Sequence, residues 1–203
     1  MPVAAAPAPA DTRERILAAA RQLVIERGGP GLAMREVARR VGLTPMAIYR
    51  HFADREALLE AVVSEARLRL LVRLQAGLTA PTPRARLEAS AVAYLEFGLE
   101  EPQYYELLFM QPLRPAAPPK QAQAARRSDA GFRFLVDRLR EAVAHGCMAT
   151  PAYPGHDDPL EGLAIDVWAQ LHGLVLLCER NKLGMPPAAL LEHARATMAR
   201  WFR

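Results

Sequence analysis

The chain has little of several things that would narrow its role, and each scarcity excludes something. Its two cysteines, Cys147 and Cys178, are too few and too far apart for a disulfide framework or a zinc site. A reducing cytoplasm is therefore the expected compartment. No uninterrupted apolar run reaches the roughly 18 residues of a membrane-spanning helix. The start, MPVAAAPAPA, has neither the charged region nor the long apolar region of a signal peptide. Neither membrane insertion nor export is expected. Strand-type alternation of apolar and polar residues is missing, which leaves an all-α chain. There is no nucleophile–base set, glycine-rich phosphate loop or paired-histidine spacing, so the chain is not expected to be an enzyme or to hold a cofactor or metal. His156, Asp157 and Asp158 carry metal-binding chemistry, but a loop followed by a helix cap accounts for them better.

What the chain does have is 51% hydrophobic and 24% charged residues over 203 positions. That is the composition of an ordinary globular protein, long enough for one domain or for a small domain joined to a larger one. Only Lys120 and Lys182 are lysine among the 26 basic residues. The net charge of +4 hides an asymmetry. Between Thr12 and Arg55 nine arginines stand against Glu14, Glu26, Glu36 and Asp54, a balance of +5 that leaves −1 elsewhere. A basic end on a near-neutral body suits a protein that meets a polyanion with that end. A merely solvated face has the same count.

Residues 1–10 are low in complexity and expected to be disordered. A first helix runs from about Thr12 to Arg27, with Ile16, Leu17, Ala20, Leu23 and Val24 as its apolar stripe, and Gly28-Gly29-Pro30 ends it. Met34, Val37, Ala38 and Val41 then repeat at helical spacing, backed by Arg35, Arg39 and Arg40. Gly42 suits the left-handed residue that closes such a helix. Thr44-Pro45 restarts it, with threonine as cap and proline at the first helical position. Ile48 and Phe52 face inward from this short second helix. Two short helices joined this way form a helix–turn–helix, whose second helix enters the DNA major groove.

The run VARRVGLTPMAIYRHFADREALL resembles the signature of the TetR/AcrR family of transcriptional regulators. Val37, Ala38, Gly42, Leu43, Thr44, Ile48, Tyr49, His51, Phe52, Arg55 and Leu58 fall on that signature. Ala33 departs from it by removing a side-chain cap, and Met46 by standing where a small residue is usual. The resemblance implies a DNA-binding helix–turn–helix over residues 12–57 after an arm of residues 1–11. A ligand-binding and dimerisation domain would occupy residues 58–203. A second, looser resemblance, in Trp168-x-x-x-His172-Gly173 and YLEFGLEEPQYYELLF, points to family members with a Trp–x–x–x–His–Gly run.

Asp54 is a good cap for a long helix from Arg55 to about Gln75, which would link the two domains. Further helices are expected from Thr82 to about Glu100, over PQYYELLFMQP, from about Asp129 to His145, from Pro159 to about Arg180, and from about Pro186 to Phe202. That makes about nine helices in all. Residues 112–128, rich in Pro, Ala and Gln, read as an irregular connection. The helix opened by Asp158-Pro159 is apolar on one broad face, with Ile165, Ala169 and Leu176 on another, so it must be covered from both sides.

By position, Thr44, Tyr49, His51 and Arg55 are expected to contact DNA phosphate. Tyr49 also suits packing under the turn. Pro45, Met46, Ala47 and Arg50 are placed to reach base edges, Arg50 by a bidentate pair with guanine. Arg35 suits either a phosphate contact or plain solvation. Tyr94, Phe97, Tyr105, Phe109, Trp168 and His172 are the candidates for an apolar pocket with a few polar tips, although aromatic residues at helical spacing also make ordinary core. The expected whole is a cytoplasmic homodimer bound to a palindromic operator in double-stranded DNA, a repressor released by a small apolar or aromatic effector. The alternative is a DNA-binding protein that responds to no ligand, or to oxidation at Cys147 or Cys178.

Overall fold

Helix starts are where local sequence has most authority. In the computed structural model of the chain, residues 11–109, 118–150, 152–153 and 158–202 are described. Most of the arm, Met110, positions 112–117 of the connection, and His156 with Asp157 lie outside the described residues. Five starts carry a side-chain cap. Thr44 Oγ1 accepts from the Ala47 amide at 3.3 Å and Asp54 Oδ1 from Ala57 at 2.7 Å. Thr82 Oγ1 accepts from Ala85 at 3.1 Å, Asp129 Oδ1 from Phe132 at 2.9 Å and Asp158 Oδ1 from Leu160 at 2.8 Å. Each satisfies an amide that the first turn leaves without a helical partner.

The described residues form ten α-helices and no strand: α1 Thr12–Arg27, α2 Met34–Val41, α3 Pro45–Tyr49, α4 Arg55–Ala76 and α5 Pro83–Glu100. They continue as α6 Pro102–Phe109, α7 Pro119–Ser128, α8 Ala130–Ala144, α9 Pro159–Glu179 and α10 Pro187–Met198. The all-α expectation holds. The tenth helix, α7, corrects the reading of 112–128 as irregular throughout. Its sequence PKQAQAARRS opens with proline at the first position and continues with strong helix formers. It has no apolar stripe, so hydrophobic periodicity could not reveal it. The second helix of the turn is also shorter than expected, ending at Tyr49, yet Ile48 and Phe52 are both buried.

The chain divides into two compact units, the first comprising residues 1–66 with 106–111 and the second residues 67–105 with 112–203. In the first, α1 packs on α2 and α2 on α3. Ile16, Ala20 and Leu23 of α1, Val37 of α2, Ile48 of α3 and Leu58 of α4 are fully buried there. Gly42 closes α2 at φ 70°, a left-handed conformation in which a side chain would be strained. In the second unit α5 is central, packing on α8, α9 and α10. At Gly98 of α5 an added Cβ would lie 2.6 Å from Val175 Cγ1 of α9, so glycine sets how closely these helices approach. α9 has the length and mean hydropathy, 1.3, of a membrane-crossing helix. One face of it packs on α5, α8 and α10, and a third of the apolar stretch is buried. Helix α4 is continuous through the division between the units.

Candidate functional site

The turn between α2 and α3 is built from the inside out. Ile48 is wholly buried and Phe52 nearly so, the latter under the Arg13 guanidinium 4.8 Å from its ring centre. These anchors, with the Thr44 cap, fix which side of α3 meets solvent. Thr44, Pro45, Met46, Tyr49, Arg50 and His51 are all exposed, and Ala47 is half-buried. Met46 keeps 70% of its surface and Tyr49 46%. Met46 and Tyr49 thus add little to the core of this unit and stand open to a partner surface.

The arginines of this unit divide into two groups. Arg15 Nη2 donates to the Val41 carbonyl at 2.8 Å, and Arg21 pairs with Glu65. Arg39 and Arg40 both bond Glu36, while Arg40 also pairs with Glu26 at 2.5 Å. The Arg39 hydrogen bond, helped by Arg40, holds the Glu36 carboxyl down at about 2. Arg40 likewise lowers Glu26. Arg55, expected at phosphate, turns inward: Nε donates to the Leu32 carbonyl at 2.9 Å and Nη2 to Gly29 at 2.8 Å. Its partners lie 23 and 26 positions earlier, before α2 and α3, which is why position alone could not reveal them. Arg35 and Arg50, by contrast, are exposed and make no hydrogen bond or ion pair among the described residues. Those guanidiniums are available to an anion.

The second candidate set lies in the C-terminal unit and is arranged the other way. Tyr94 of α5, Tyr105 of α6, and Trp168 and His172, one turn apart on α9, converge on a single hydrogen-bonded cluster. Trp168 Nε1 donates to Tyr94 Oη at 3.1 Å. The two tyrosine hydroxyls are 3.1 Å apart, and Tyr105 Oη is 2.5 Å from His172 Nδ1. Tyr94 Oη is also 3.4 Å from that nitrogen.

An indole N–H can only donate, so it gives the cluster a direction. Among these four groups, each hydroxyl finds an acceptor when Trp168 donates to Tyr94, Tyr94 to Tyr105, and Tyr105 to His172. That leaves Nδ1 of His172 without a proton and puts the ring proton on Nε2. Burial lowers His172 and raises both phenols, Tyr94 to about 12, and the neighbouring Tyr94 raises Tyr105 further. All four groups therefore stay neutral at ordinary pH.

The remaining pocket candidates do not join this cluster through hydrogen bonds. Phe97 is fully buried on α5, and Phe109 is half-buried in the segment assigned to the first unit. Sequence reasoning left two contributors out of the set. The Phe132 ring of α8 meets Trp168 edge-on at 6.2 Å. At Gly98, a Cβ would come within 3.2 Å of Tyr105 Cδ2. A glycine inside a long apolar helix was the available signal for the second; nothing local marks the first. Asp158 serves as a helix cap, and among the described residues no three His, Cys, Asp or Glu gather as a metal site. Both cysteines are free and half-buried.

Known proteins resemble the chain in both units. The model of the tetR family of bacterial regulatory proteins matches residues 16–62. That of the tetracyclin repressor-like C-terminal domain matches residues 87–200. The HTH-type transcriptional repressor BepR of Brucella suis is 40% identical over 97 residues, 46% of each chain. An uncharacterised HTH-type transcriptional regulator of Haemophilus influenzae is 33% identical over 137 residues, 66% of this chain and 63% of that one. The chain thus spans less than two thirds of the length of these curated relatives. Among solved structures, a protein of unknown function from Rhodococcus sp. RHA1 is 28% identical over 97% of both chains, with a TM-score of 0.78. The TetR family regulator PfmR of Thermus thermophilus shares the fold at TM-score 0.65 and 21% identity, over 96% of this chain and 97% of its own.

Proposed function

We propose, for a chain that belongs to the tetR family of bacterial regulatory proteins, that it is a homodimeric repressor released from a palindromic operator by a small apolar or aromatic effector. The observation that carries this reading is the outward face of α3: Met46, Tyr49 and Arg50 open to solvent over a buried Ile48. In the major groove, Arg50 pairs with guanine and Met46 and Ala47 pack on thymine methyls. Thr44, Tyr49, His51 and Arg35 hold the backbone. Arg55 positions the turn through the Leu32 and Gly29 carbonyls and touches no phosphate.

A second copy is supported by what α9 leaves uncovered. Ala169 and Leu177 are exposed, Ile165 and Leu176 half-buried, and a Cβ at Gly173 would meet nothing within 4 Å. Two copies joined there, with α10, set two recognition helices on half-sites about 34–36 Å apart. The effector is read by the Tyr94, Tyr105, Trp168 and His172 cluster, with Phe97 as apolar lining; Phe109 belongs to the other unit and is left out of the site. Bound there, it shifts the unbroken α4 and disturbs the match to the groove. Emptying a nearly full operator requires about 5.5 kcal/mol of difference in effector affinity between the two states.

Selection of bound DNA from a random pool tests the reading, and a two-fold symmetric site is expected. Arg50→Ala relaxes the preference at one position per half-site, whereas Tyr49→Phe weakens binding to all sequences alike. Arg55→Ala also weakens binding but leaves the salt slope unchanged; a lost phosphate contact lowers that slope by about one. Unchanged binding in all three variants would assign recognition to another surface.

A further inference from the structure

Helix α7 touches α8 but adds nothing to the core. None of its ten residues is buried. A helix shorter than about 12–15 residues is marginal in water on its own, so α7 needs outside contacts to stay ordered. Two arginines in its last turn provide them. Arg127 Nε lies 2.7 Å from Glu161 Oε1, and Arg126 Nη2 lies 3.7 Å from Glu161 Oε2. The Arg126 guanidinium also sits over the Phe132 ring, 5.3 Å from its centre.

The latch is strong in charge and incomplete in hydrogen bonding. Glu161, in the first turn of α9, has a side chain only 13% exposed. Among the described residues its Oε2 and the Nε of Arg126 are buried without a hydrogen-bond partner. Separating such a pair loses Coulomb attraction in a weakly screened setting but returns two under-satisfied groups to water. Opening α7 thus costs less than it would against a fully hydrogen-bonded pair. What α7 covers follows from the ring contacts. Phe132, under Arg126, meets Trp168 edge-on, and Trp168 starts the hydrogen-bonded series to Tyr94, Tyr105 and His172.

We propose that α7 is a lid over the Phe132–Trp168 wall of the effector site, latched by Arg126 and Arg127 on Glu161, and that it opens as a unit when Glu161 loses those partners. The proposal rests on reading the Tyr94–Tyr105–Trp168–His172 cluster as the effector site. Hydrogen exchange on the full chain tests the latch. Glu161→Gln, which keeps the size and removes the charge, speeds exchange of the α7 amides at least tenfold and leaves α5 and α8 unchanged. Raising the salt from about 0.1 to 1 M speeds wild-type α7 in the same direction and adds little to the variant. Arg127→Gln, or the wild-type salt series alone, gives the same reading if Glu161→Gln fails to fold. Acrylamide quenching of Trp168 in a Trp201→Phe background tests the cover, with at least a twofold rise expected on loss of the Glu161 charge.

Unchanged α7 exchange overturns the latch. Faster exchange with unchanged quenching overturns the lid and leaves only a surface staple. Faster exchange and quenching, with no compound that releases DNA, would instead refute the effector reading while α7 kept its latch.

Discussion

Along residues 44–51 the buried side chains are apolar and the polar groups face out, whereas the Tyr94, Tyr105, Trp168 and His172 cluster turns its polar atoms into the interior. The N-terminal unit can therefore present its chemistry without rearranging, because Ile48 and the Thr44 cap hold the outer face while solvent occupies it. In the C-terminal unit the same atoms already satisfy one another. A ligand that engages them must replace existing hydrogen bonds, and an unmatched donor or acceptor there costs about 1–3 kcal/mol. Rigid presentation suits reading a fixed surface such as a groove. Mutual satisfaction suits a response that depends on which small molecule arrives.

The sharpest way to break that contrast is to remove the anchor. Ile48→Ala, a full truncation at a site with no exposed surface, costs about 2–5 kcal/mol. It is expected to abolish hydrogen-exchange protection in α2 and α3 and, with it, DNA binding. Retained protection would mean that the outer face does not depend on this core. Tyr105→Phe is the matching change inside. It removes the hydroxyl shared by Tyr94 and His172 Nδ1 and leaves only the long 3.4 Å contact between those two, for a loss of about 1–3 kcal/mol. Urea denaturation followed by fluorescence is well placed to read it, since both tryptophans, Trp168 and Trp201, lie in the C-terminal unit. An unchanged midpoint would show the cluster to be energetically idle.

The smallest effect separates the units by pH. His172 titrates below its ordinary 6.5 because burial disfavours the charged ring. The unfolded chain therefore takes up that proton first, and its contribution, complete above 6.5, declines as the pH falls below that value. Glu36 is depressed from 4.5 to about 2, so its contribution is complete above 4.5 and disappears as the pH falls toward 2. Being exposed, that pair contributes little. Amide protection, taken relative to the intrinsic exchange rate at each pH, should fall in α5 and α9 before it does in α2 between pH 7 and 4.5; the reverse order would deny His172 its place in the cluster.

How much of this could be read in advance follows from the range of the interactions. Thr44-Pro45, Thr82-Pro83 and Asp158-Pro159 announce their helices because a cap and the amide it satisfies are two or three residues apart. The outward residues of α3 were legible because burying Ile48 and Phe52 fixes the direction of the others. The aromatic types of the second cluster were visible, but their connection was not, since it joins α5 and α6 to α9 across 67 to 78 positions of sequence. For α7 the sequence held helix formers without an apolar stripe, and its tether, Glu161, belongs to another helix.

Arg55 has a further consequence. A cation in the first turn of a helix opposes the positive end of the helix dipole, so this position is electrically unfavourable for arginine. Its two carbonyl bonds, to Leu32 and Gly29, offset that and brace the segment between α1 and α2 against the start of α4. A lysine ammonium, a point charge without a planar fork, lacks the separately directed donors to hold both. A basic residue on a DNA-binding signature can thus serve the folding of the turn, and its charge alone does not assign it to a phosphate.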